Sequence, residues 1–489
     1  MEIIQALKTD EWLLFSFILF GIFSILGLSE LIRKRFNKPP ESTRQFIHIC
    51  VGIIVSICPF IFKVNYQLIA LSVLFIIINT YFIISNKVSS MNSITRVSYG
   101  TIYFPFSILL LTVFFWDKPI SYFLSILVLT FADPIAASVG RKSNTHFYPW
   151  KDKKSLNGLL AMFSVSFLII LLGTDIMAKS FGAMFYMPFP VIFTLSIFTA
   201  ACATLSELIS YRGTDNLSIP LVTFFSYEIF LINYTHGNLL DLCIWLILSI
   251  IIFSYAYKLK SVSISGAIGG FLVGIFIFGS GGWVLISPLV FFFISSSFLS
   301  IIKNKKPSQR DVMQILANGG APTFFALSYF FFQDQIFLLG FLGSLSASTA
   351  DTWATEIGFL SKKRPYLIFT SRQVKKGVSG SISLLGTFGS IAGALSIGLI
   401  SFYIFEFKNT IALITLIGSM GSFIDTLMGR YIQGKFYCTK CNKDIEQYFH
   451  CGAETILTSG FKWIDNNLVN FIASLTSGII IMIIYLTYG

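Results

Sequence analysis

Long apolar runs recur along the whole of this 489-residue chain and constrain its fold more than any other feature. A run of about 17 to 25 residues is long enough for one helix to cross the hydrocarbon of a bilayer. The runs are continuous rather than alternating in polarity, so they predict helices and not the strands of a barrel. Only 12% of the residues are charged, about half the usual share in a soluble protein. We therefore predict an all-α, polytopic helical membrane protein with about sixteen transmembrane helices.

The charges between the apolar runs predict the topology. The first run, Trp12 to Leu28, precedes Arg33-Lys34-Arg35 and lacks a small-residue cleavage site, so we interpret it as a span and not as a signal peptide. With the N-terminus outside, basic residues fall in every second loop. This bias also explains the net charge of +12 without a nucleic-acid partner. The pattern predicts a multi-pass protein of the cell (cytoplasmic) membrane, with spans near 12–29, 47–62, 67–85, 100–116, 120–139, 157–173, 187–209, 217–234, 240–257, 264–279, 283–302, 319–332, 336–357, 380–404, 410–429 and 467–488.

An internal repeat places similar polar groups at two predicted cytoplasmic span ends. The pattern A-D-x-x-A-x-x-x-G begins at Ala132 and again at Ala350, and so contains Asp133 and Asp351. Each copy is followed by a Lys pair with a glycine turn, a second acid and a pair with Asn: Lys153-Lys154-Ser155-x-x-Gly158, Glu207 and Asp215-Asn216 in the first, and Lys375-Lys376-Gly377-x-x-Gly380, Asp425 and Asn466-Asn467 in the second. An even number of predicted spans separates the copies. The repeat thus predicts two parallel membrane domains, residues 1–237 and 238–489.

The repeated polar groups suit phosphate chemistry. Ionisable residues at span ends are costly and are functional candidates by default. Paired carboxylates suit Mg²⁺, lysine supplies charge to a transferring phosphoryl group, and glycines let a helix N-terminus approach an anion. The chain has no G-x-x-x-x-G-K-[ST], so a nucleotide would be held without a P-loop. Structural alternatives remain open: the Lys pairs as topology signals, Asp133 and Asp351 as buried capping acids, and Glu207 as a residue that snorkels to the interface.

Two further polar motifs are open to two interpretations each. Arg44 and His48 share one face of a helix, and they could anchor the interface or belong to a phosphate or hydroxyl site. Asn318-Gly319-Gly320 is predicted to open a span, as a helix cap or as a backbone nest for phosphate.

The seven cysteines fall into two groups. Those in apolar runs, which we interpret as packing residues, are Cys50, Cys58, Cys202 and Cys243. The predicted cytoplasmic loop 430–466 holds three thiols and one imidazole, the ligand set of a Cys₃His zinc site: Cys438, Cys441, His450 and Cys451. The alternative is a set of reduced thiols in a folded loop, since disulfides are rare in the cytoplasm.

The motifs resemble two known families in tandem. About residues 30–235 resemble the CTP-dependent polyprenol kinases, the group of dolichol kinase and phytol kinase, through Thr43-Arg44-x-x-x-His48-x-x-x-Gly52, Tyr99-Gly100 with Pro105, Ala132-Asp133 to Gly140-Arg141, Lys153-Lys154-Ser155-x-x-Gly158, Glu207 and Asp215-Asn216-Leu217. About residues 240–488 resemble the membrane family that contains phytyl-phosphate kinase, long labelled domain of unknown function 92, through Asn318-Gly319-Gly320, Ala350-Asp351-Thr-Trp-Ala-Thr-Glu356, Lys376-Gly377-x-x-Gly380, Asp425, His450-Cys451-Gly452 and Trp463 with Asn466-Asn467-x-x-Asn470.

The resemblance implies consecutive reactions, in which CTP phosphorylates an isoprenoid alcohol and the resulting prenyl monophosphate is phosphorylated again. We accordingly expect the acids to be catalytic or to hold Mg²⁺: Asp133 and Glu207 in the first half, and Asp351, Glu356 and Asp425 in the second. Phosphate and nucleotide binding fall to Lys153, Lys154, Ser155, Gly158, Asp215, Asn216, Asn318, Lys376, Gly377, Asn467 and Asn470. Arg44 and His48 are expected to bind the substrate.

Two other classes of function fit parts of the pattern. A cytidylyltransferase of phospholipid synthesis also uses CTP, Mg²⁺ and acids at the membrane edge. A transporter with two parallel repeats is less compatible, because transporters usually place their charges near the midplane and use discontinuous helices.

Overall fold

The chain folds into a polytopic bundle of helices. The computed structural model describes residues 11–37, 39–85, 99–180, 187–302, 309–405 and 410–488. Within these ranges, thirteen helices are long and apolar enough to cross a membrane, which confirms the predicted fold class. Backbone contacts divide the chain into two compact units, Met1–His236 and Gly237–Gly489, called here the first and second units.

The described part of the first unit is entirely helical apart from its connecting loops. Its helices are α1 Glu11–Phe36, α2 Pro40–Ile61, α3 Tyr66–Ser85, α4 Gly100–Phe114, α5 Pro119–Leu127, α6 Asp133–Arg141, α7 Leu156–Ser180, α8 Phe189–Leu208 and α9 Asp215–Thr235. A π turn, Val128–Ala132, joins α5 to α6. Pro134 has no N–H to donate to the Thr130 carbonyl, so the regular hydrogen-bond ladder is interrupted here. The predicted span near 120–139 is therefore one helix with a widened turn directly before Asp133.

The described part of the second unit has seven helices, several of which pack around α13. They are α10 Leu239–Lys258, α11 Ile264–Ile302, α12 Val312–Phe332, α13 Ile336–Phe359, α14 Leu384–Phe405, α15 Ile411–Tyr431 and α16 Asn466–Tyr488. The 39-residue α11 is broken at Gly281 and Gly282. Gly282 has φ 61°, a conformation that favours glycine. The break separates the two spans predicted near 264–279 and 283–302.

Two predicted spans start too late: the span predicted from residue 47 belongs to α2, which begins at Pro40, and the second case is α12. The span predicted from residue 319 begins at Val312, because Asp311 caps the helix and exchanges hydrogen bonds with Gln314 in a capping box. Asn318-Gly319-Gly320 consequently lies inside α12. It forms neither the helix cap nor the backbone nest that the sequence indicated.

The core of the second unit surrounds α13, in which every residue from Leu338 to Ala350 is buried. Aromatic side chains fill the space between the helices, and the Trp245 Nε1–H donates to the Gly274 carbonyl at 3.0 Å. Short strands occur in two loops. The α13–α14 loop contains the antiparallel pair β1 Tyr366–Leu367 and β2 Ser381–Ile382. The α15–α16 loop contains β3 Lys435–Cys438, β4 Lys443–Ile445, β5 Phe449–His450, β6 Ala453–Glu454 and β7 Ile456–Ser459, with β3 between β4 and β7.

Candidate functional site

The first unit gathers charged residues around Asp133. Asp133 starts α6, at the end of the π turn. Its carboxylate interacts electrostatically with four charged side chains from four other segments: Asp215, Glu207, Lys154 and Arg44. Asp215 starts α9, Glu207 lies in the last turn of α8, and Lys154 precedes α7. The structure therefore brings together residues that are distant in sequence but were predicted to share one site.

Lys154 is held rigidly at this site. Its Nζ donates to Glu207 Oε1 at 2.6 Å, and the two side chains are only 13% and 14% exposed. Its backbone exchanges two hydrogen bonds of 2.9 Å with Phe147. A charge fixed in a partly dehydrated setting interacts more strongly with an anion than a mobile surface charge does. The neighbouring Lys153 is exposed.

Ser155 and Gly158 form the N-terminal cap of α7 and its close contact with α6. Ser155 Oγ accepts a hydrogen bond from the Gly158 N–H at 3.1 Å, so Ser155 caps α7. A side chain at Gly140 or at Gly158 would crowd Ser155 and the facing glycine. The two glycines let α6 and α7 pack closely behind Asp133. The phosphate-binding role of Ser155 and Gly158 stays a prediction.

The remaining predicted residues of the first unit border the same region. Asn216 donates from both its backbone N and its Nδ2 to Asp215 Oδ1, at 2.9 and 2.8 Å. His48 Nε2 lies 3.1 Å from the carbonyl oxygen of Leu129, which is in the π turn. Widened turns of this kind free carbonyl groups and are frequent at functional sites.

Arg44 is part of an ion-pair network that the sequence reading missed. Its Nη2 donates to Glu41 Oε1 at 2.9 Å, and Arg141 Nη1 lies 3.2 Å from the same oxygen. Glu41 thus joins the first turn of α2 to the end of α6. The three-residue spacing between Glu41 and Arg44 could have indicated this ion pair from the sequence, because residues three apart are neighbours on a helix.

The second unit has a small, partly open cleft between α12, α13, α15 and α16. Four predicted site residues line it: Asn318, Asp351, Asp425 and Asn470. With its amide oriented to donate, Asn470 Nδ2 lies 2.8 Å from Asp425 Oδ2 and 2.9 Å from the Asn466 carbonyl. Asp351 and Asp425 interact electrostatically with each other. Two carboxylates and two amides from four helices therefore face one small space.

Small hydroxyl residues that the sequence reading did not single out complete this cleft. Ser348 Oγ lies 3.0 Å from the Asn318 carbonyl and 3.1 Å from Ser474 Oγ, and both serines line the cleft. Ser422 Oγ is 3.5 Å from Asp351 Oδ1. Serines are frequent all along these helices, so composition alone offered no signal for them.

Four other predicted residues of the second unit lie apart from the residues that line the cleft. Glu356 is five residues after Asp351, which turns it by about 140° around the helix, and its Oε1 accepts from Ser300 Oγ at 3.1 Å. Lys376 is exposed, and its Nζ donates to the Phe359 carbonyl at 2.9 Å. Asn467 is half-buried in the first turn of α16. Gly377, next to Lys376, has φ 87°.

The structure corrects one pairing in the internal repeat. Ser383 Oγ accepts from the Gly386 N–H at 3.1 Å, and Gly386 packs against Gly358 at the end of α13. This reproduces the Ser155, Gly158 and Gly140 arrangement. The counterpart of Ser155-x-x-Gly158 is therefore Ser383-x-x-Gly386 and not Gly377-x-x-Gly380, because the β1–β2 hairpin lengthens the loop in the second unit.

Comparison with known proteins agrees with this architecture. The family model of integral membrane protein DUF92 matches residues 247–478. Protein PGR of Arabidopsis thaliana is 31% identical over 265 residues, which cover 47% of this chain and 91% of that protein. The chain belongs to the DUF92 family of integral membrane proteins. The matched residues of this DUF92 chain include all four predicted site residues that line the cleft of the second unit.

Two further relatives of this DUF92 chain are similar over a shorter part of it, and one of them has a functional name. A phytol kinase of Synechocystis sp. is 31% identical over 205 residues, which cover 40% of this chain and 83% of that protein. Protein VTE6, chloroplastic, of Arabidopsis thaliana is 24% identical over 233 residues, or 43% of this chain and 61% of that protein. Each of these alignments spans less than half of this chain. No solved structure matches it.

The α15–α16 loop of the DUF92 chain gathers the predicted thiol and imidazole groups. Ligand atoms of Cys438, Cys441, His450 and Cys451 all lie within 4.8 Å of one another. Hydrogen bonding to His450 lowers the pKa of the Cys438 thiol to about 6, whereas burial raises the pKa of Cys441. Of the cysteines predicted to be packing residues, Cys58 and Cys202 are buried, Cys50 is half-buried and Cys243 is exposed.

Proposed function

We propose that the chain phosphorylates an isoprenoid alcohol, such as phytol or geranylgeraniol, to its monophosphate and then to its diphosphate, with CTP as the donor and Mg²⁺ as the metal ion. The main support is that each unit collects acids, amides or a lysine from separate helices at one place. The 31% identity to a phytol kinase along 83% of that relative supports the choice of substrate class.

The first unit suits the phosphorylation of an alcohol. A hydroxyl is a weak nucleophile and gains from a nearby carboxylate that accepts its proton. Asp133 has this role in our proposal, since it lies among other acids and next to the fixed Lys154. The Lys154 ammonium would hold a donor phosphate, while Glu207 keeps the lysine in place. Arg44 and His48 lie in α2 and would contact the substrate.

The second unit suits the phosphorylation of a monophosphate. A phosphate oxygen is already nucleophilic, so this step needs positioning and charge compensation more than a base. The oxygen-rich lining of the cleft fits Mg²⁺, which prefers hard oxygen ligands. Asp351 and Asp425 would hold the ion, which when bound would offset the negative charge of the phosphates. Asn470 orients Asp425, and Asn318 offers an amide to phosphate oxygens.

The lipid tail is expected to lie against the bundle within the bilayer. Apolar side chains on the outer faces of the helices are exposed, including Phe17, Phe20 and Ile77, as expected where lipid replaces water. A reactive head group at the helix ends and a tail in lipid would let a long alcohol reach the site without leaving the membrane.

The test uses the full chain, purified in detergent, with radiolabelled prenols, prenyl monophosphates, Mg²⁺ and either CTP or ATP. We expect alcohol to become monophosphate and then diphosphate, faster with CTP than with ATP, and only with the metal present. Absence of phosphorylated lipid with either nucleotide would overturn the proposal. Release of pyrophosphate together with a CDP-lipid would instead identify a cytidylyltransferase.

A further inference from the structure

The cluster in the α15–α16 loop has the composition and the spacing of a closed zinc site. Its three sulfurs and one ring nitrogen lie within 4.8 Å of one another. Tetrahedral Zn²⁺, with Zn–S of about 2.3 Å and Zn–N of about 2.0 Å, holds ligand atoms about 3.5 to 3.8 Å apart. His450 Nδ1 is 3.5 Å from Cys441 Sγ and 3.1 Å from Cys451 Sγ. Small side-chain movements would therefore complete the tetrahedron.

The backbone explains how two adjacent residues can both face one ion. Neighbouring residues of a strand point to opposite sides, which argues against His450 and Cys451 as joint ligands. Cys451, however, has φ 51° and Gly452 has φ 71°, so they form the two-residue turn between β5 and β6. The left-handed conformation at Cys451 changes the direction of its side chain. The Cys451 sulfur consequently lies beside the imidazole of His450, on the same side of the hairpin.

The other two ligands come from a second hairpin. Cys438 ends β3, and Cys441 lies in the turn before β4, where Asn442 has φ 52°. Cys438 is buried, whereas Cys451 is exposed. Two hairpin turns thus present two ligands each to a common point, as in structural zinc sites with paired Cys-x-x-Cys turns. Thiolate and imidazole ligands favour zinc over the hard Mg²⁺ expected at the cleft.

The loop joins the two helices that carry Asp425 and Asn470. Its base is closed by hydrogen bonds from the Gly434 N–H to Ile464 and from the Phe461 N–H to Ile432, at 2.9 and 3.0 Å. Glu446, at the end of the β4 hairpin, accepts a hydrogen bond from Ser379 of the α13–α14 loop. The loop is therefore hydrogen-bonded across its base near both helix ends and to the loop that contains Lys376.

We propose that Cys438, Cys441, His450 and Cys451 bind one structural Zn²⁺, which fastens the β3–β4 hairpin to the β5–β6 hairpin. The ion has four protein ligands and no open position, so its role is to hold the loop and not to take part in chemistry. Part of the loop's folding energy would then come from the metal.

The test measures zinc in the full chain, purified in detergent without a metal-affinity tag. We expect about one zinc per chain, the stoichiometry of a single four-ligand site. Cys438→Ser and Cys451→Ser should each remove most of it, whereas Cys243→Ser, which changes an exposed cysteine of α10, should retain it. Co²⁺ added to chelator-treated wild-type protein should give the absorption of tetrahedral cobalt with thiolate ligands.

A structural role also has its own readout. Chelation of wild-type protein should make the loop 430–466 more sensitive to protease, and Zn²⁺ should restore its protection. The proposal is overturned if wild-type protein holds no zinc and takes up no Co²⁺, or if Cys438→Ser retains as much zinc as Cys243→Ser. It is equally overturned if thiol titration shows a disulfide among these cysteines in the protein as isolated.

Discussion

The two units hold similar acids on similar helices but balance their charge differently. In the first unit, Lys154 pairs with Glu207 at 2.6 Å within the cluster around Asp133. In the second unit, the acid at the corresponding helix end, Asp425, has an amide partner, Asn470 at 2.8 Å. Lys376 is exposed and donates to a backbone carbonyl. The first site therefore contains its own fixed cation, and the second has a neutral partner in the same place.

This difference indicates how each site would treat an anion. In the first site, the two cations Lys154 and Arg44 offset most of the charge of the three acids, and a neutral alcohol adds no further charge. A site with two acids and two amides repels a phosphate unless cations accompany it. We therefore infer that the second site depends more strongly on Mg²⁺, or on movement of Lys376 toward the cleft, than the first site does.

The largest expected effect comes from removing the leading acid of each site. Asp133→Asn should lower phosphorylation of the alcohol by about 1000-fold, the upper range for loss of one preorganised charged or polar group, and should leave the monophosphate reaction near its normal rate. Asp351→Asn should do the reverse, so that monophosphate accumulates. Product ratios from radiolabelled alcohol and from monophosphate measure both effects. Asp175→Asn, in an exposed pair with Lys179, is the matched control.

The idea of two independent sites fails if either substitution slows both steps equally while the protein remains folded. Mixing the two variants gives a further check. Asp133→Asn protein supplied with monophosphate made by Asp351→Asn protein should produce diphosphate.

A smaller effect is expected from the lysines, and it differs between the units. Lys154→Met leaves Glu207 largely buried without its cation, so we expect a loss of about 3 kcal/mol in stability together with slower alcohol phosphorylation. Lys376→Met removes an exposed side chain and should change stability by less than about 0.5 kcal/mol. Thermal unfolding in detergent compares them. Equal destabilisation by both substitutions would contradict the contrast between the sites.

Much of the fold could be predicted from sequence, because helices in lipid must be continuous and apolar. The predicted spans near 264–279 and 283–302, for example, match the two parts of α11 around Gly281-Gly282. The start of α12 was missed because Asn318-Gly319-Gly320 was interpreted as the opening of the span, whereas the Asp311 capping box starts the helix at Val312. The π turn before Asp133 was equally hidden, because Pro134 is compatible with an ordinary helix start.

The site residues could be predicted from sequence where a polar side chain lies near the end of an apolar span. Acids and amides near helix ends, such as Asp351 and Asn470, do line one cleft. Sequence comparison gave the wrong counterpart for the glycine turn of the first unit. Lys376-Gly377-x-x-Gly380 is the more similar in sequence to Lys154-Ser155-x-x-Gly158. Only Ser383-x-x-Gly386, however, has the same cap and the same glycine packing. Glu356 was grouped with Asp351 by proximity in sequence, yet the helix turns it toward Ser300.

The smallest effect tests the corrected pairing of the repeat. If Ser155 and Ser383 are equivalent caps, Ser155→Ala and Ser383→Ala should each lower stability by about 1 kcal/mol, and glycine in either position by only a few tenths, because a glycine cap leaves the first turn open to water. Each change should alter the rates of its unit only modestly. A much larger loss of alcohol phosphorylation in Ser155→Ala than its stability explains would show that the Ser155 hydroxyl also binds the donor phosphate. Ser383→Ala should then show no such excess, because Ser383 belongs to the unit that lacks the adjacent lysine.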